Sequence, residues 1–163
     1  MRKTRVLAAA ALLAVAALAG PDADARPAHA PPAYRLSLRA MLFYNDRGTF
    51  SPDLIAHPVS LWNTIIGEGQ SGGPSNATMI VAVVSGEGGS YVPERKVALT
   101  VTEGGRTILQ RTVETTVLNQ QGRGYVAFWV YDTGCEPLRL SARIVGQTPS
   151  TPVTARIPFA CGE

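Results

Sequence analysis

The sequence predicts an all-β fold, a single antiparallel β-sandwich of about eight strands. Eight short β-like runs follow one another, separated by turns rich in Gly, Pro, Asn and Asp. None of them keeps an apolar helical period for three turns. The length left after an N-terminal leader suits one domain with a real core.

The leader comes first. Arg2, Lys3 and Arg5 precede an apolar run from Val6 to Ala19, too short to span a bilayer, and Ala23-Asp24-Ala25 offers small residues at signal-peptidase spacing. Residues 1–25 are expected to be a signal peptide and mature protein to begin near Arg26, with Ala19 and Ala30 as alternative cleavage positions. No cysteine stands near the cut, so no lipid anchor is expected, and the shortness of the apolar run argues against a permanent membrane anchor. Residues 26–33, RPAHAPPA, form a Pro/Ala-rich tether, and residues 34–163 the sandwich.

The first run, residues 34 to 44, alternates Tyr34, Leu36 and Leu38 with Arg35, Ser37 and Arg39, the period of a half-buried strand, and Asn45-Asp46-Arg47-Gly48 ends it. SLWNTII (60 to 66) and TMIVAVV (78 to 84) follow. KVALTVTE (96 to 103) and the run from Arg106 to Leu118 flank Gly104-Gly105, two residues that tolerate positive φ, so a tight hairpin is expected with Val101 facing Ile108. The second of these strands mixes polar and apolar residues on both faces, as a sheet edge does. GYVAFWVYD (124 to 132) is next. The last two runs, 138 to 146 and 152 to 160, form a hairpin in which matching apolar faces set Leu138 opposite Phe159, Leu140 opposite Ile157, Ala142 opposite Ala155 and Ile144 opposite Val153.

That register brings Cys135 and Cys161 to the open mouth of the hairpin, within one residue of facing each other. Two cysteines in an exported chain are expected to be oxidised, so a Cys135–Cys161 disulfide is predicted. From Thr78 to Cys161, about half of the chain, the pattern resembles the immunoglobulin-like modules of bacterial exported proteins, chiefly through LNQQGRGYVAFWV. The resemblance implies a sandwich. The Trp and disulfide spacing of antibody domains is absent, and residues 34 to 77 have no counterpart in it.

Composition narrows the function. The formal charge of +3 belongs largely to the leader: cleavage after Ala25 leaves twelve basic and ten acidic residues, scattered, with no basic run to track a phosphate backbone. No nucleic-acid partner is expected. Thirteen arginines against two lysines, with abundant alanine, suggest a GC-rich bacterial source and hence a periplasmic or secreted protein. In a eukaryote Asn76-Ala77-Thr78 would be a glycosylation acceptor.

Gly67-Glu68-Gly69-Gln70-Ser71-Gly72 matches the dinucleotide fingerprint G-x-G-x-x-G, and Glu87 falls where a ribose-binding acid would. The chain after Gly72 offers Pro74 and then β-branched residues, with no helix N-terminus to hold a pyrophosphate, so no cofactor is expected. His57 is the one histidine of the mature domain, His29 lying in the tether. A small hydrolase could be built on it with Ser51 or Ser60 and Asp53, but no nucleophile elbow presents the serine. Asp46 and Asp53 lack EF-hand spacing, which disfavours calcium in that loop.

The strongest functional signal is that TMIVAVV and YVAFWVY are apolar on both faces, whereas a two-layer sandwich normally shows alternate residues to water. In the second run Val126, Phe128 and Val130 occupy one face and Tyr125, Ala127, Trp129 and Tyr131 the other. The favoured expectation is that residues 34 to 66, with Leu61, Trp62, Ile65 and Ile66, cover this row, and that Trp129→Ala costs about 3 to 5 kcal/mol. The alternative leaves Tyr125, Trp129 and Tyr131 exposed to bind a protein partner or stack on sugar rings. Either way the chain reads as a non-enzymatic exported binding or interaction module, with a carbohydrate-binding module or a His57 hydrolase as alternatives.

Overall fold

A computed structural model describes residues 33–162. The signal peptide expected over 1–25, its cleavage site, His29 and most of the tether lie outside the described residues. Ten strands follow in order: β1 (Arg35–Tyr44), β2 (Thr49–Phe50), β3 (Leu61–Trp62), β4 (Ala77–Ser85), β5 (Lys96–Glu103), β6 (Arg106–Glu114), β7 (Arg123–Tyr131), β8 (Leu138–Val145), β9 (Val153–Ile157) and β10 (Phe159–Ala160). No helix occurs among the described residues.

Two antiparallel four-stranded sheets, in the orders β2-β1-β4-β7 and β6-β5-β8-β9, share one core. Strands β1-β4-β7 facing β6-β5-β8-β9 reproduce the immunoglobulin order, A-B-E facing C, F and G with an added strand beside C. β1 thus takes the A position, although the N-terminal portion showed no such counterpart in sequence. Alternation builds the core. β1 contributes Leu38, Ala40 and Leu42, β4 Ile80, Ala82 and Val84, and β7 Val126, Phe128 and Val130; from the other sheet come Val97, Leu99 and Val101 of β5 and Leu138, Leu140, Ala142 and Ile144 of β8.

SLWNTII is not a sandwich strand. Only Leu61–Trp62 is extended, in a short parallel pair with β10, because Asn63 turns the chain at φ 46° and residues 63 to 73 proceed through successive turns. The run from 106 ends as a strand at Glu114, where Thr115 N–H and Oγ1 donate to the Arg95 carbonyl.

Two registers differ from expectation. Gly104 and Gly105 do form the two-residue turn, with φ 53° and 83°, but Val101 faces Leu109 rather than Ile108. A bulge leaves Ile108 as the extra residue on β6, where an edge strand tolerates it. In the β8–β9 hairpin Leu138 faces Ile157, Leu140 faces Ala155 and Ala142 faces Val153, a slip of two from the predicted pairs. Slipping by two keeps every side chain on its own face, so hydrophobic matching cannot detect it. Pro158, which has no N–H to donate, separates β9 from β10, and Phe159 pairs with Leu61 instead of Leu138. The cysteines meet as predicted: Cys135 and Cys161 are bridged with their Cα atoms 4.7 Å apart.

Candidate functional site

The outer surface of the β2-β1-β4-β7 sheet carries the aromatic row, and the expected covering layer is not there. Leu61 is buried beneath the end of the sandwich, whereas Trp62, Ile65 and Ile66 point to solvent elsewhere. Tyr125, Trp129 and Tyr131 remain 49%, 37% and 65% exposed. The N-terminal segment was expected to fold over the row. Instead β1 hydrogen-bonds beside β4 in the same sheet and shields only the outer side chains of β4, so Met79, Val81 and Val83 are half-buried while the alternate residues of β7 face water.

Register defines the surface in four rungs. Phe50, Phe43, Ala77 and Tyr131 form one; Met41, Met79 and Trp129 the next; Arg39, Val81 and Ala127 a third; Ser37, Val83 and Tyr125 the fourth. Aromatic side chains crowd the first two. Phe43 meets Phe50 and Trp129 edge-on at centroid distances of 5.5 and 5.8 Å, Phe50 lies 5.8 Å from Trp129, and the Trp129 and Tyr131 rings run parallel within 7° at 6.0 Å. These are the offset and edge-to-face arrangements that ring quadrupoles favour. Tyr125 stands apart, four residues or about 13 Å along the strand from Trp129, opposite Val83 in the rung that ends at Ser37, and two residues from the exposed Arg123. The surface therefore grades from an apolar aromatic end to a polar end.

Phe43 and Phe50 were missed in sequence. The alternation that sends Leu42 and Tyr44 inward already sends Phe43 outward; Phe50 had no such signal, since its two-residue strand is too short to show a period.

The other candidates do not converge. Asp53 Oδ1 accepts from the N–H groups of Ala40 and Ile55, both at 3.1 Å, and its Oδ2 lies 3.2 Å from Arg39 Nε. Its carboxylate ties the loop to β1. Asp46 is half-exposed and lies 3.6 Å from Arg47. The buried Ser51 hydroxyl donates to the Pro52 carbonyl and accepts from Leu42 N–H, while His57 is exposed and Ser60 is exposed with its N–H donated to Gln70 Oε1. Among the described residues no group of three His, Cys, Asp or Glu side chains is placed to hold a metal ion.

In the glycine-rich loop, Gly67, Gly69 and Gly72 all have positive φ and no helix follows them. Tyr44 Oη donates to the Ser71 carbonyl at 2.7 Å and Arg47 Nη2 to that of Gly72 at 2.6 Å. Glu87 sits in a separate turn, where its carbonyl accepts from Ser90. The fingerprint is thus a packed connection between β3 and β4. No protein-family model matches the chain, and no curated protein matches it.

Proposed function

We propose that this chain is an exported, non-enzymatic binding module that engages its partner, a protein or glycan of the cell envelope, through the outer face of the β2-β1-β4-β7 sheet. The observation that carries this reading is the exposed cluster of Trp129, Tyr131 and Phe50 around the half-buried Phe43, continued by Tyr125 along β7. A contiguous apolar patch of this kind, rimmed by polar residues, marks an interaction surface. Tyrosine and tryptophan join large apolar area to a polar tip, which suits a ligand that is itself part apolar and part hydroxylated.

Redox chemistry supports the compartment in this reading. A disulfide persists where the medium is oxidising, which supports the periplasm or the exterior as the place of action. A glycan is favoured by one detail: Trp129 and Tyr131 hold parallel rings at successive outward positions of a single strand, a repeated stacking surface for successive sugar rings. The His57 hydrolase has less support, since the Ser51 hydroxyl is engaged by backbone groups and His57 stands on the surface.

Trp129→Ala tests the proposal, and the outcome now expected differs from that for a buried tryptophan. The substitution should lower stability by no more than about 1.5 kcal/mol, the scale of its ring contacts. Retention on a column of soluble envelope polysaccharide, or of the envelope protein that binds wild type, should fall by about thirtyfold, as for an aromatic hot spot. Unchanged retention, or a stability loss of the size expected in the core, would overturn the assignment.

A further inference from the structure

Beyond Tyr125 the outward ladder of the β2-β1-β4-β7 sheet has a fifth rung, formed by Arg35, Ser85 and Arg123. No outward position of β1, β4 or β7 carries a carboxylate, and the charged ones are Arg35, Arg39 and Arg123. Arg39 is compensated, since Asp53 Oδ2 lies 3.2 Å from its Nε. Arg35 and Arg123 are exposed and have no ion-pair partner among the described residues. The half-buried Ser85 separates them by two strand spacings, about 10 Å between Cα atoms. Both arginines line one open hollow at Ser85, together with Glu87 and Gln121. The face that is aromatic at one end is therefore cationic at the other.

We propose that the ligand of this face is an acidic polysaccharide lying lengthwise on β7, with sugar rings on Tyr131, Trp129 and Tyr125 and an acidic group held over Ser85 between Arg35 and Arg123. The inference rests on the glycan form of the reading above and adds the charge of the ligand. Each guanidinium presents a planar fork of N–H donors that matches a carboxylate, sulfate or phosphate, and the Ser85 hydroxyl supplies a further donor between them. Two uncompensated cations on one rung repel each other, and an anion between them turns that repulsion into attraction. From Trp129 to Arg123 is six residues, about 20 Å along the strand, so a ligand engaging both ends is a chain of several sugars. Arg123 is held in place for this contact. Its backbone N–H donates to Asn119 Oδ1 and its carbonyl accepts from Asn119 N–H, both at 2.9 Å, which fixes this end of β7 without using the guanidinium.

Biolayer interferometry of the disulfide-bonded protein tests the proposal on immobilised polygalacturonate, dextran sulfate and phosphorylated mannan, each beside its uncharged counterpart: the methyl ester, dextran and mannan. At least one acidic polymer should bind about tenfold more tightly than its counterpart, the scale of one charge-assisted hydrogen bond, and which one does so identifies the acid. The R35Q/R123Q double variant alters two exposed side chains and leaves the Asn119 bonds to the backbone, so it should melt like wild type. It should erase the preference for the acidic polymer and bind the uncharged one unchanged, whereas Trp129→Ala should weaken both. E87Q, which removes the carboxylate bordering the hollow, should tighten the acidic polymer alone. No preference for any acidic polymer in wild type, or a preference that survives R35Q/R123Q, would overturn the charge assignment and leave the aromatic face standing. Binding that needs the arginines but not Trp129 would be plain ion exchange, and would overturn the glycan face together with it.

Discussion

Replacing Cys135 and Cys161 together by serine is expected to lower stability by roughly 3 to 4 kcal/mol, with a fall in Tm of about 10 to 15 °C. The bridge spans a sequence separation of 26 and its loop contains the whole β8–β9 hairpin together with β10. Cutting it frees the unfolded chain to explore conformations that the closed loop denies, which is where the chain-entropy account places the effect. It also releases Ala160, whose carbonyl accepts from Asn63 N–H at 2.9 Å, and Gly162, whose N–H donates to Asn63 Oδ1 at 2.9 Å. Thermal melts of wild type with and without reductant, beside the double serine variant, measure the difference. Alkylation of the unreduced protein at both cysteines would show that the bridge does not form.

A comparable loss, about 3 to 5 kcal/mol, is expected for Phe159→Ala. Phe159 is 1% exposed and among the largest fully buried side chains. It packs with Leu61, Leu138 and Ile157 in the same apolar cluster, and its strand is only two residues long, so the side chain holds β10 in place more than the ladder does. Removing the ring leaves a cavity that a chain pinned at Cys161 and interrupted at Pro158 has little freedom to fill. Urea denaturation would read the loss. A value below about 1 kcal/mol would mean that this end of the core collapses readily around the missing ring. The contrast with Trp129→Ala is the informative one, since two aromatic substitutions should separate into a structural loss and a binding loss.

The frame of the sandwich was legible because alternation is a strong signal where one face is buried. The runs from 78, 96, 106, 124 and 138 correspond to β4, β5, β6, β7 and β8, and the cysteines found each other despite a register error of two residues. That error, like the bulge at Ile108, was invisible for a physical reason: parity fixes which face a residue occupies, and only the turn and edge geometry fixes which partner it meets. The loops were legible only as loops. Nothing in LWNTIIG marks Leu61 alone as buried and Ile65 and Ile66 as exposed, because that depends on where β10 passes.

The aromatic site was half legible. Its row on β7 was identified from an excess of apolar residues, and the wrong cover was assigned to it, because rarity of large exposed patches argues against an open face when no geometry is known. Once β1 is placed beside β4 the same excess reads differently. Phe43 and Phe50 then border the row without hiding it.

The parallel pairing of Leu61–Trp62 with Phe159–Ala160, reinforced by the Gly162-to-Asn63 hydrogen bond across a sequence separation of 99, bears on when this chain can fold at all. Contacts so distant along the chain form late, after a large loop has been closed. The first strands therefore cannot seal their end of the sandwich until the segment carrying Phe159 has been made and delivered. A polypeptide threaded through a translocation pore must stay unfolded until it has passed. Under the export proposed here, the β3–β10 clasp could close only after the C-terminal segment had itself crossed.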